Sequence, residues 1–357
     1  MSRLRFCYNN GYMIIGSIDD DDTGYSGPLT RPHSANVEGD YGMVVGMSVW
    51  ADHVNKEGGV EWITPSTTIG DILVHPAFKG FSARLLPRME DQQQSELTLQ
   101  QMDSLMPFHA FLNPHDIAIG LNFLVYQAGQ QIPVFLELYS AAEKREDPGK
   151  TETGLLFFKG KPGAPFAIIA PGGGFAYVAT LHEGVPLARE LAEQGMNAFV
   201  VRYRTGQGQR TATEDLARAI TLLFREKENL EIGTRNYSIW GASAGARTAA
   251  LIGSYGPGAF GGTVLQKPAC VVMLYTGHSD SGNNEPATFV AVGDNDGISP
   301  PAAMRQRLKV LEKAGTPVEF HVFPEVGHGF GLGTGSSAEG WIDDAIQFWR
   351  DRSANGY

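Results

Sequence analysis

From residue 153 onward the chain keeps one rhythm: a short run rich in Val, Ile, Leu and Phe, then a longer stretch with helical spacing. The apolar runs are GLLFF (154–158), FAIIA (166–170), NAFVVRY (197–203), NYSIW (236–240), ACVVMLYT (269–276), ATFVAVG (287–293) and PVEFHVF (317–323). Most are separated by helix-like segments: EGVPLARELAEQG, ATEDLARAITLLFREK, SAGARTAALIGS, PPAAMRQRLKVLEKAG and, last, AEGWIDDAIQFWRDR. Strands this apolar need cover on both faces, and crossover helices supply it. The expected fold class is therefore α/β, with a mostly parallel central sheet and helices on both faces. Ligands of such sheets bind at the carboxyl ends of the strands. The loops that follow the strands are where chemistry is to be sought.

Upstream, the pattern changes. SELTLQQMDSLM predicts a helix capped at Ser95, and NPHDIAIGLNFLVYQAGQ a second one starting near Pro114. PVFLELYS (133–140) predicts a strand, and EKREDPGKTET a polar, turn-rich connector. The run from Tyr41 to Val54, ended by Gly58 and Gly59, predicts an amphipathic helix. The acidic run at 19–22 lacks the alternating ligands and closing Glu of a calcium loop and is expected to be a solvated loop. We divide the chain into an N-terminal extension (1–63), a helical pre-domain or cap (64–132) and a main α/β domain (133–357). The segment from Gly27 to Val60 resembles the opening of bacterial periplasmic amino-acid-binding proteins, through the pattern GPLT…G…WAD.VN..GGV. The chain does not follow it with a bilobed domain.

Charge narrows the function. The formal net charge is −11 and the two cysteines, Cys7 and Cys270, sit in no metal-like spacing. A phosphate backbone needs a basic stripe, so nucleic acid is not an expected partner. Neither is a membrane, because no apolar run is long enough for a span or a signal peptide. With no disulfide framework implied, the expected compartment is the cytoplasm.

Four loops carry chemistry. IWGASAGA fits G-x-S-x-G, with Ser243 between Gly241 and Gly245, after a strand and before a helix. Such a turn can raise a serine nucleophile at the helix N-terminus. APGGGFAY (170–177) follows a strand with three successive glycines. It has neither the Lys-Ser/Thr ending of a phosphate loop nor GxGxxG spacing. Gly173 and Gly174, with Ala244 after the nucleophile, are the expected N–H donors to an oxyanion. PEVGHGFG (324–331) places His328 between glycines after the last strand, where a general base could reach the serine. His321, inside the strand pattern, is expected to be structural. AVGDNDGISPP (291–301) offers two acids to orient that base, Asp294 and Asp296, beside a helix start that Asp294 or Ser299 could cap.

The order Ser243, acid, His328, with a glycine loop upstream, resembles the α/β-hydrolase family. More narrowly, PGGGFAY…LHEGVPLARELAEQGMNAFVVRYR with GASAG and GHGF resembles bacterial serine esterases of the feruloyl-esterase and carbohydrate acetyl-esterase type. Hormone-sensitive-lipase-like and dienelactone-hydrolase-like enzymes are further kin. The resemblance spans roughly residues 133 to 352. Members with HGGG in the oxyanion loop have histidine where this chain has Pro171, and a dienelactone hydrolase proper has cysteine as nucleophile. The resemblance implies an α/β-hydrolase domain over 133–357 and a serine carboxylesterase acting through an acyl-enzyme on a small-molecule ester. It implies no metal or organic cofactor. It also favours Asp296 as the acid, three residues after Gly293. Phe175, Tyr177 and His278 are the expected substrate contacts; His278 and Asp280 would suit a polar alcohol such as a sugar, although the stretch TGHSDSGNNEP that carries them also reads as a solvated loop. No long apolar lid helix is evident, which favours short acyl groups, among them acetyl or aryl esters of carbohydrates. Homo-oligomerisation stays open. A peptidase of the oligopeptidase kind would add propeller repeats, and none is visible. A non-catalytic binding module would use the same sheet without the chemistry. A fusion in which the N-terminal extension regulates a hydrolase would also be compatible with the sequence.

Overall fold

The computed structural model describes residues 62–354, together with two N-terminal strands, β1 (Arg3–Asn9) and β2 (Tyr12–Ile18). The chain divides into two compact units, Met1–Asp52 and His53–Tyr357. In the first, β1 and β2 pair antiparallel, from Arg3 opposite Ile18 to Asn9 opposite Tyr12. The helix expected over Tyr41–Val54 and the binding-protein-like segment Gly27–Val60 lie outside the described residues, as does the acidic run at 19–22.

The second unit is built on an eight-stranded sheet. Its strands are β3 (Phe135–Leu136), β4 (Gly154–Phe158), β5 (Pro165–Ala170), β6 (Asn197–Arg202), β7 (Gly233–Ala242), β8 (Cys270–Leu274), β9 (Ala287–Gly293) and β10 (Val318–Phe323). The order across the sheet is β10-β9-β8-β7-β5-β6-β4-β3. From β6 to β10 all neighbours are parallel, while β4 runs antiparallel to both β6 and β3. β4, β6, β8 and β9 are buried at every position, as a sheet covered on both faces requires. β10, at the edge, is half-exposed and carries Glu319 and His321, which discourage pairing with another chain. His321 stacks on Phe289, 4.7 Å between ring centroids.

The helices are α1 (Ile69–Val74), α2 (Pro114–Gly129), α3 (Ala141–Glu146), α4 (Val185–Glu193), α5 (Gly208–Arg225), α6 (Lys227–Leu230), α7 (Ala244–Tyr255), α8 (Pro301–Lys313) and α9 (Trp341–Ala354). α2 begins where expected: Asn113 Oδ1 accepts from the His115 N–H at 2.9 Å, and Pro114 occupies the first turn. Between β5 and β7 the chain steps aside to β6 and then returns to the other flank of β5. That reversal makes the carboxyl ends of β5 and β7 a topological switch point, the place where a crevice opens.

Three local expectations need correction. SELTLQQMDSLM forms a 3-10 helix over Leu99–Leu105, capped by Thr98 rather than Ser95; Gln101 reaches back to the Thr98 N–H at 3.0 Å. PVFLELYS pairs with the sheet only at Phe135–Leu136. Ser140, the last residue of that stretch, then starts α3 through a reciprocal Ser140–Glu143 capping box; α3 runs into what read as a connector, where a 3-10 turn over Pro148–Glu152 follows. Residues 64–132 belong to the same compact unit as the sheet.

Candidate active site

The turn after β7 is strained. Ser243 has φ 50° and ψ −114°, outside the ordinary regions for a side-chain-bearing residue. The strain is held in place by a Ser243 N–H bond to the Leu274 carbonyl at 2.9 Å. Close packing adds to it: a Cβ on Gly245 would stand 1.9 Å from the Ala170 carbonyl oxygen, so only glycine lets α7 lie this near β5. Ser243 is raised on this turn, part-exposed, at the N-terminus of α7.

Its hydroxyl lies 2.8 Å from His328 Nε2, and His328 Nδ1 lies 2.8 Å from Asp296 Oδ2. With Nδ1–H donating to Asp296, Nε2 is free to accept the serine proton. The other Asp296 oxygen accepts N–H bonds from Ile298 at 2.8 Å and Ser299 at 2.7 Å. Burial alone would raise the Asp296 pKa. The bonds from His328 and the two amides outweigh burial and hold it below the usual carboxylate value. Asp294 is elsewhere: its Oδ1 accepts from the Glu325 N–H at 2.7 Å, stapling the loops after β9 and β10. α8 starts behind Pro300 with no side-chain cap, so neither Asp294 nor Ser299 caps it.

The glycine loop after β5 faces the serine. A Cβ placed on Gly172 would stand 2.8 Å from Ser243 Cβ. Gly173 takes φ +123°, open only to glycine. The Gly172 N–H is committed to Glu183 Oε2 at 2.5 Å. Among the described residues, the Gly173 and Gly174 N–H groups have no acceptor, and Gly173 opens a turn closed by Ala176 and Tyr177 N–H bonds to its carbonyl. Ser243, Asp296, His328 and the Gly173–Gly174 loop thus meet at the switch point. Ala244, the first residue of α7, follows the serine directly.

The three expected substrate contacts fare differently. Tyr177 has no accessible surface; its hydroxyl lies 3.1 Å from His109 Nδ1 and its ring stacks on Phe108. Its side chain therefore backs the loop rather than lining an open cleft. Phe175 (φ 60°) is half-buried and leans towards Tyr203. His278 is buried, its pKa pushed down to about 4 by burial and then by Arg307. Asp280 is tied to the Tyr255 hydroxyl at 2.8 Å. The exposed ring near the site is Phe108, 3.9 Å from where a Gly174 Cβ would stand. The Ala110 N–H reaches the His328 and Gly329 carbonyls at 3.1 Å each. The segment LMPFHAFL (105–112) therefore borders the site. Its signal was an apolar run with a histidine in it, too common to single out.

Comparison with solved structures decides the fold. An α/β hydrolase enzyme from a Medee basin deep-sea metagenome library superposes with TM-score 0.50 at 23% identity, covering 57% of this chain and 93% of its own. The chain has the α/β-hydrolase fold. An acetyl ester-xyloside bifunctional hydrolase from Caldicellulosiruptor lactoaceticus superposes with TM-score 0.53 at 22% identity, over 61% of this chain and 95% of that one. In sequence, an acetylxylan esterase of Xylanibacter ruminicola is 24% identical over 218 residues, 53% of this chain and 45% of that protein. Endo-1,4-beta-xylanase B of Butyrivibrio fibrisolvens is 24% identical over 215 residues, 49% of this chain and 34% of that protein. The chain thus spans less than half the length of these two curated relatives. No family model matches the chain. Among the described residues, no helix of this α/β-hydrolase domain is long and apolar enough to cross a membrane.

Proposed function

We propose that the chain is a serine carboxylesterase that cleaves short-chain acyl esters of carbohydrates, acetyl esters foremost. The observation that carries this reading is the unbroken run of 2.8 Å contacts from Ser243 through His328 to Asp296, beside the unpaired N–H groups of Gly173 and Gly174. His328 Nε2 takes the Ser243 proton as Oγ attacks the ester carbonyl. The oxyanion forms against the N–H groups of Gly173, Gly174 and Ala244. The C–O bond to the alcohol breaks, and the alcohol leaves with the proton from His328. Water, deprotonated by His328, then attacks the acyl carbon, and Ser243 recovers its proton as the acid departs. Asp296 keeps His328 in the tautomer that accepts at Nε2 and stabilises the imidazolium.

The substrate class is supported by likeness to the acetylxylan esterase and by the Phe108 ring beside Gly174, a flat apolar face on which a pyranose can stack. The test is a panel of 4-nitrophenyl esters from acetate to octanoate, with acetylated xylo-oligosaccharides alongside. We expect kcat/KM to peak at acetate or propionate, and acetate to be released from the oligosaccharides. Turnover of peptide amides in preference to all esters would point to a peptidase. Inertness of the folded chain towards every ester would point to a binding module.

A further inference from the structure

Building on the proposed esterase reading, we infer that Glu183 is a positioning residue that couples the oxyanion loop to the loop carrying His328. The two loops follow different strands, β5 and β10. Glu183 is fully buried and bonds towards both. Its Oε2 accepts from the Gly172 N–H at 2.5 Å, one residue before the proposed oxyanion donors. Its Oε1 accepts from the Tyr275 hydroxyl at 2.8 Å. The same Tyr275 oxygen accepts from the Gly331 N–H at 3.2 Å, and the Tyr275 ring meets the His328 imidazole edge-on at 5.2 Å. One carboxylate thus holds the glycine loop directly and the base loop through a tyrosine.

Two neighbours complete the arrangement. His109 Nε2 stands 3.0 Å from Glu183 Oε1, bringing in the segment that borders the site. His182, the preceding residue, donates from Nε2 to the Gly329 carbonyl at 2.8 Å. Adjacent residues can both face inward because Thr180–Gly184 is a π turn, a distortion that recurs at functional sites. Burial opposes charge on Glu183, but His109, and then His182 and the Gly172 amide, outweigh it and hold its pKa low, so the carboxylate stays charged.

The test compares Glu183→Gln, Tyr275→Phe and the double variant in the full chain, by steady-state kinetics and by hydrogen exchange of peptides spanning 171–177 and 327–333. Gln preserves the volume and one acceptor; Phe keeps the ring against His328 but loses the hydroxyl. For Glu183→Gln we expect kcat to fall about 10- to 100-fold, the scale of a small misplacement at a reacting centre, with KM within about threefold. Exchange should quicken in both loops together, and Tyr275→Phe should add little to Glu183→Gln. Quickening confined to 171–177, multiplying effects in the double variant, or an unchanged kcat would overturn the coupling. If Glu183→Gln does not fold, Tyr275→Phe alone decides: quicker exchange over 327–333 with lower kcat supports the coupling, and neither change refutes it. Hydrogen exchange needs no turnover, so coupled loosening in a chain without esterase activity would refute the proposed function and leave the coupling standing.

Discussion

Asp215 and Asp296 are both buried carboxylates, and each accepts at least three hydrogen bonds. Around Asp215 the partners are the Arg204 guanidinium, the Arg204 N–H at 2.7 Å and the Tyr139 hydroxyl at 2.5 Å, with Asp147 pairing the far side of Arg204 at 2.8 Å. Every bond there ends on another structural group. Around Asp296, two amides and His328 share the carboxylate, and the chain of bonds continues outward to a part-exposed serine on strained backbone. Burying a charge is thus no signature of chemistry by itself. What marks the second cluster is where its bonds lead: to a reactive oxygen, beside N–H groups that have no partner in the resting fold.

The largest effect should come from cutting the second cluster. Ser243→Ala and Asp296→Asn are expected to lower kcat/KM by about 10³- to 10⁴-fold or more, Ser243→Ala with a melting temperature close to wild type; steady-state rates and calorimetry check this. Asp215→Ala should do the reverse. It strands Arg204 in a buried site and should lower stability by about 3–5 kcal/mol, while the folded fraction keeps kcat/KM within about twofold; denaturant titration and active-site-normalised rates would expose a catalytic role if there is one.

Acid should loosen the active-site region. Burial, and then His109, push the His182 pKa down to about 4, from the 6.5 of an unperturbed imidazole. The unfolded chain therefore binds the extra proton first, so the His182 contribution is complete above about pH 6.5 and is lost as pH falls towards 4. For this group alone the loss is at most about 3 kcal/mol. Asp296, with its pKa lowered, loses its contribution below the usual carboxylate range, in the same direction. Melting temperatures between pH 7 and 4 should fall, and His182→Asn should flatten the upper part of that fall.

Smaller still, Phe108→Ala should raise KM for an aryl or sugar ester about 2- to 10-fold, as loss of one stacking face would, with kcat within about twofold. Asp294→Asn, which touches only the Glu325 amide, should change kcat/KM less than about threefold; a loss like that of Asp296→Asn would mean that the two acids share the role.

The α/β half of the chain was legible because its physics is local and repetitive. GLLFF and ATFVAVG match their strands end to end, since strands buried on both faces carry no charged residues to blur them. The loops after β5, β7 and β10 were legible for a related reason: close approach and positive φ demand glycines, and glycine runs are visible in a sequence. The segment 95–152 was harder. Its 3-10 turns have no strong hydrophobic period, and the S-x-x-E signature at Ser140–Glu143 that starts α3 is hidden between a stretch that reads as strand and one that reads as connector. Choosing Asp296 over Asp294 leaned on family resemblance, because both follow the same strand and only side-chain direction separates them. The role inferred for Glu183 was not legible at all. Glu183 is merely the first residue of the helix-like segment EGVPLARELAEQG, and nothing in a sequence tells that Glu183, Tyr275, His109 and Gly172 converge from four separate stretches.

The central claim is that Ser243 is an activated nucleophile. It is tested most directly by labelling the full chain with a fluorophosphonate and mapping the modified peptide by mass spectrometry, in wild type and Ser243→Ala. We predict one modified residue, Ser243, with labelling abolished in the variant and slowed steeply in Asp296→Asn. A folded wild-type chain that takes up no label, or takes it up equally in Ser243→Ala, would contradict the account.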